Sequence, residues 1–198
     1  MPSQTSPLDD LDPRRIAILL AAMEVFARYG FKRTSMEDIA QAAGLSRTAL
    51  YLHYRNKQDI YRSLVQWYFT QTERRVKDAL KPGLAPEVAL GRAFGAKLGP
   101  EMKALYDSPH GEELLDANIS TAADVAMLGE AVIASHLRDW LAGEAAAGRI
   151  ALPGGGAEDT AAMMVRALNG QKTRGLSFEE TREGLATLAQ LLGRGLRP

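Results

Sequence analysis

Apolar positions along this chain recur at three- and four-residue intervals, and no stretch alternates with the period of two that a half-buried strand requires. The spacing predicts helices throughout and almost no strand. Asp12 before Pro13 has the form of an N-cap followed by proline at the first helical position. Ile16, Leu19, Leu20, Met23 and Phe26 then make one apolar stripe that ends at Gly30. Thr34-Ser35-Met36-Glu37 has capping-box form, with Thr34 as the cap and Glu37 reaching back, and Ile39, Ala40 and Ala43 face inward up to Gly44. Ser46 caps a third helix, with Leu45 and Leu50 at the spacing of a hydrophobic staple. Asn56 opens a fourth, which carries Ile60, Leu64, Val65, Trp67 and Tyr68 to Leu80, where Lys81-Pro82-Gly83 breaks it. Further breaks at Gly99-Pro100, Ser108-Pro109-His110-Gly111 and Pro153-Gly154-Gly155-Gly156 delimit about five more helices. The last two run from Ala157 to about Lys172 and onward from a Ser177-Phe178-Glu179-Glu180 cap, carrying Leu185, Leu188, Leu191 and Leu192.

The stretch from Met36 to Tyr54 has the layout of a helix-turn-helix: a short helix, a glycine, a capped turn and a second short helix. Gly44 supplies the left-handed conformation that turns the chain, and the small Ala40 and Ala43 let the two helices approach. Leu50 and Tyr54 point back into the domain, leaving Arg47, Thr48, Ala49, Leu52 and His53 free to reach base edges in a major groove. A guanidinium binds guanine O6 and N7 bidentately, so Arg47 is a reader of sequence or, failing that, a phosphate contact. The methyl groups of Thr48 and Leu52 could only touch a thymine methyl. His53 is either a phosphate donor or a half-buried histidine at a helix end.

The 198 residues include no cysteine, which excludes disulfides, thiolate zinc sites and thiol nucleophiles and fits a reducing, cytoplasmic setting. The polar, acidic first twelve residues lack the apolar core of a signal peptide, and no apolar run is long enough to span a membrane. Net charge is zero, but it is segregated. Arg14 to Lys81 holds 13 Lys/Arg against 6 Asp/Glu, whereas Pro82 to Pro198 holds 11 against 15. A basic front half joined to an acidic back half suits nucleic-acid binding by the front.

From Arg15 to Tyr61 the chain resembles the N-terminal domain of the TetR family of bacterial transcriptional regulators. The resemblance rests on Ile18-Leu19-Leu20-Ala21-Ala22 leading to Phe26, Tyr29-Gly30-Phe31, Thr34-Ser35-Met36, Asp38-Ile39-Ala40, Ala43-Gly44-Leu45-Ser46, Leu50-Tyr51, His53-Tyr54 and Asn56-Lys57. Tyr54 stands where phenylalanine is usual, and Thr48-Ala49 where the family often has Gly-Thr, a change that bears on base preference. The resemblance implies an all-α protein: a three-helix helix-turn-helix domain over residues 12–60 and a helical effector-binding and dimerisation domain over 61–198. It implies phosphate contacts from Thr34, Tyr51 and Lys57, the last beside the free N–H groups that open the fourth helix. The full DNA-facing set is then Thr34, Ser35, Ser46, Arg47, Thr48, Ala49, Tyr51, Leu52, His53 and Lys57. The function it implies is that of a sequence-specific regulator, a repressor released from its operator by a small molecule, working as a homodimer on pseudo-palindromic double-stranded DNA.

In the family the last two helices supply the dimer interface. Here they mix Leu and Met with Ala161, Ala162, Ala167, Gly170, Gly184, Ala186 and Ala189, which permits close packing across a two-fold axis. For a largely apolar effector the candidates are Trp67, Phe94, Leu98, Met102, Tyr106, His110, Asn118, Met127, His136 and Trp140, the polar ones serving to orient a ligand. His110 with Glu112 and Glu113 has the residue types of a metal site, but carboxylates at a helix start are better explained as partners of the helix dipole, and no metal or cofactor is expected. An enzyme is disfavoured, since there is no phosphate loop and no serine elbow, and the three histidines are far apart. The remaining alternative is a constitutive DNA-binding protein whose back half only dimerises.

Overall fold

The computed structural model describes residues 12–114, 121–171 and 175–198, and helices are the only regular secondary structure among them. Those with both ends described are α1 (Pro13–Tyr29), α2 (Met36–Ala42), α3 (Arg47–Tyr51), α4 (Lys57–Ala79), α5 (Pro86–Gly95), α6 (Pro100–Tyr106), α7 (Ala123–Ala146), α8 (Gly156–Gly170) and α9 (Phe178–Gly195). Asn118 and Lys172, both named above, lie outside the described residues. None of the described helices is long and apolar enough to cross a membrane.

Local chemistry sets most boundaries. Asp12 accepts the Arg14 N–H, Ser46 accepts the Ala49 N–H, and Ser177 with Glu180 forms a reciprocal capping box. Helix α2 closes in a Schellman motif, with Leu45 N–H donating to Ala40 O, Gly44 N–H to Gln41 O, and Gly44 at φ +66°. Two expectations are corrected. The box that opens α2 is Ser35 with Asp38, because Thr34 is only 2% exposed and its hydroxyl donates to Gly30 O. The buried stripe of α1 is Ile18, Leu19, Ala22, Val25 and Phe26, and Leu20 faces outward. The expected stripe paired the wrong neighbours in a helix that is apolar over most of its circumference.

The chain forms two compact units, Met1–Thr70 with Ala104–Met127, and Gln71–Lys103 with Leu128–Pro198. In the first, α1 to α3 pack around Phe26, Ile39, Leu50 and Ile60, and Phe26, Phe31 and Tyr61 make a three-ring cluster with centroids 5.2 to 5.9 Å apart. In the second, α9 lies on α5 so closely that a Cβ on Gly193 would meet the Glu87 backbone at 2.6 Å. Two buried charges are paired there: Lys97 donates to both oxygens of Glu130 at 2.8 and 2.6 Å, and Glu144 takes two bonds from Arg149 and one N–H from Gly83.

Candidate nucleic-acid interface

Helix α3 turns one residue inward and most of its surface outward. Leu50 is fully buried, Tyr54 is buried just beyond the helix end, and Arg47, Thr48, Tyr51 and Leu52 are exposed. Leu52 is 82% exposed, the most open of the large apolar side chains among the described residues. An apolar side chain held in water at the end of a capped helix contributes nothing to this fold and is available to a partner. The Arg47 guanidinium lies 5.6 Å from the centroid of the Tyr51 ring, one helical turn on. The Tyr51 hydroxyl beside it pushes the guanidinium further above its ordinary value. Arg47 is therefore both exposed and already oriented. Ser35 and Ser46 are exposed N-caps, Ala49 is half-buried, and His53 is half-buried with its carbonyl accepting from Arg15 at 3.5 Å.

Thr34 and Lys57 are placed differently from the expectation. Thr34 is buried, with its hydroxyl spent on Gly30 O. Lys57 donates to Phe31 O, Lys32 O and Thr34 O at 2.8, 2.9 and 2.8 Å, and its ammonium sits over the Phe31 ring. An ammonium has three N–H groups, so none is left for a phosphate. Both residues hold the turn between α1 and α2. The groups that engage Lys57 lie 23 to 26 residues away and carry no local signature.

Sequence reasoning missed Arg15. Its guanidinium stacks 5.5 Å from the Tyr54 ring centroid, bringing a cation from the first turn of α1 to the end of α3. The only signal was a basic pair, Arg14-Arg15, at the start of the first helix.

Nine of the ten effector candidates lie among the described residues and are divided between the two units. Trp67, Tyr106, His110 and Met127 belong to the first, and Phe94, Leu98, Met102, His136 and Trp140 to the second. His110 is engaged at the α1–α2 turn: its Nε2 accepts from Arg33 at 2.9 Å and its Nδ1 faces Glu113 at 3.8 Å. Met127 is exposed, Phe94 is fully buried, and His136 pairs with Glu73 at 3.1 Å. Trp140 is buried, and its Nε1 finds no acceptor among the described residues. No group of three or more His, Asp or Glu side chains among those residues is placed to hold a metal ion.

Comparison with known proteins agrees with this geometry. The chain is similar to the HTH-type transcriptional activator FasR of Mycolicibacterium smegmatis, 36% identical over 35% of this chain and 32% of the relative. It is also similar to the HTH-type transcriptional repressor BepR of Brucella suis, 43% identical over 26% and 24%. The chain thus matches a third or less of the length of these two curated relatives. Among solved structures, that of a SmeT–triclosan complex shares the fold with a TM-score of 0.64 at 15% identity, covering 91% of each chain. The family model described as bacterial regulatory proteins, tetR family, matches residues 18–64, so this stretch of the chain carries that family's helix-turn-helix domain.

Proposed function

We propose that this protein is a transcriptional regulator that binds double-stranded DNA through α3 and represses the genes beside its operator until a small, largely apolar molecule releases it. The observation that carries the reading is the outward face of α3, where Arg47, Tyr51 and Leu52 stand exposed while Leu50 and Tyr54 lock the helix down. Residues 12–60 do the binding in this reading, and residues 61–198 dimerise and take the effector. Such work on DNA belongs in the cytoplasm. The sign of regulation is the family's commoner one, and the matched domain serves both a named activator and a named repressor.

An effector is favoured by two features. A structural relative was solved with triclosan, and the buried Trp140 Nε1 is a donor without an acceptor, the kind of group that orients a ligand in an apolar site. Selection from random DNA followed by titration tests the reading. A pseudo-palindrome with half-sites about 34 Å or more apart is expected. Failure to enrich any sequence, or recovery of a single asymmetric half-site, overturns it. Addition of a lipophilic or aromatic ligand that binds with about 3 kcal/mol of coupling lowers operator affinity roughly 150-fold, and saturating operator lowers ligand affinity equally. If a broad panel leaves tryptophan fluorescence and operator affinity unchanged, the constitutive reading replaces this one.

A further inference from the structure

The turn between α1 and α2 is short and crowded with backbone groups, and its hydrogen bonds can be followed one by one. Gly30 O takes the Thr34 N–H and hydroxyl, and Phe31 O, Lys32 O and Thr34 O take Lys57. The Lys32 N–H looks elsewhere. Its acceptor comes from 81 residues further along the chain: Glu113 Oε1, at 2.9 Å. The other oxygen, Oε2, lies where a Cβ on Gly30 would come within 2.5 Å, and Gly30 holds φ +82°. Gly30 is therefore required both for the backbone path and for the space that the carboxylate occupies. Around Glu113 the same segment makes three more bonds to this unit. The Ser108 hydroxyl donates to Ala27 O, Arg33 donates to His110, and the Tyr61 hydroxyl donates to Leu114 O. Arg33 also bonds Tyr29 O, so its guanidinium is held at the turn.

We infer that Glu113 is a positioning residue for the DNA interface: its carboxylate fixes the Lys32 N–H and with it the turn from which α2 and the exposed Ser35 cap depart. The inference rests on the proposed DNA-binding role. Lys57 grips three carbonyls of the turn and Glu113 one of its amides, so the turn is held by groups from two separate parts of the chain. An N–H satisfied by a carboxylate is a charge-assisted bond, and its loss frees a segment that immediately precedes the helix-turn-helix.

The test uses the full chain, the operator recovered by selection and a scrambled duplex, with Glu113→Ala and Glu113→Gln. The alanine variant is expected to bind operator about tenfold more weakly while affinity for scrambled DNA changes little, so the specificity ratio falls. The glutamine variant keeps an oxygen acceptor for the Lys32 N–H and is expected to stay within about threefold of wild type. Amide exchange at Lys32, read by NMR in the free protein, should accelerate in Glu113→Ala and not in Glu113→Gln. Unchanged Lys32 exchange and an unchanged specificity ratio in Glu113→Ala would overturn the inference, as would equal losses in both variants that track a fall in melting temperature. Wild-type protein that selects no DNA would defeat the functional reading instead, with Lys32 exchange still reporting the Glu113 bond.

Discussion

Lys57 shows how far a single residue can be read from sequence. Its place after Asn56 and its charge suggest a phosphate grip, whereas three carbonyls of one turn surround its ammonium. Replacing it by methionine keeps the aliphatic stem and strands those carbonyls. Lys57→Met should therefore lower unfolding free energy by about 2 kcal/mol or more, measured by urea denaturation, while leaving the salt slope of DNA binding unchanged. Unchanged stability with a slope reduced by about one would instead return Lys57 to the phosphate role. Arg47 is the opposite case, exposed and oriented by Tyr51. Arg47→Ala is expected to relax one base position in the operator at a cost of about 1 to 3 kcal/mol, checked against a panel of operator variants. A uniform loss across the panel would make Arg47 a phosphate contact. The two residues differ in legibility for a physical reason: Arg47 is fixed by its own helix, Lys57 by backbone groups in a turn that only the folded domain brings near.

At the scale of elements, helix ends governed by neighbouring residues were legible and those governed by tertiary contacts were not. Gly44, Ser46 and Ser177 act where the sequence places them. Thr34 and Ser35 offer two overlapping capping boxes, and burial of Thr34 under the α1–α2 turn decides for Ser35 with Asp38. The His110 segment reads as a loop break with a ligand candidate, yet its partners are Arg33 and Lys32, far behind it in sequence. Helix packing gives a paired prediction. A Cβ at Gly193 would strike the Glu87 backbone, whereas one at Gly143, inside α7, meets nothing within 4 Å. Gly143→Ala should stabilise by about 0.5 to 1 kcal/mol and Gly193→Ala should destabilise, both read from thermal melts. The Asp124 carboxyl at the start of α7 takes two bonds of 2.7 Å from Arg62 of α4, which hold its pKa down to about 2. Its ordinary value is 3.8, so its contribution is whole above that pH and is lost as pH falls toward about 2. Asp124→Asn should flatten that part of the melting-temperature profile, and a profile of unchanged slope would show that the pair adds nothing.

For the whole molecule, resemblance was confined to the front of the chain, where the matched domain spans residues 18–64. The back half was legible as helices and not as a pocket, because the same Met and aromatic residues that line ligand sites also fill cores, as Phe94 does. Its surface still carries an expectation about assembly. Thr181, Leu185, Ala189 and Gly193 form the buried stripe of α9, and Ala161, Met164, Val165 and Leu168 are buried on α8. Ala161 and Ala189 thus serve the protomer's own core. A second set is left outside: Leu191 at 64% and Met163 at 37% exposure, flanked by the half-buried Leu188 and Leu192. In the proposed function one α3 with three exposed long side chains reads too few bases for a specific site, so two copies are expected. Leu191→Glu separates assembly from folding. On an isolated chain the new carboxylate faces water, and such a surface change shifts stability by about 0.5 kcal/mol or less. Across a two-fold interface it would bury two like charges, which costs several kcal/mol. Sedimentation equilibrium should then show wild type as a dimer and Leu191→Glu as a monomer with an unchanged melting curve in the dilute limit. Operator affinity should fall by about a hundredfold or more, the equivalent of at least two factors of ten in the coupling of two half-sites. A variant that remains dimeric would remove α9 from the interface and place the two-fold contact on another face, and a monomer that keeps full operator affinity would show that binding does not need two copies.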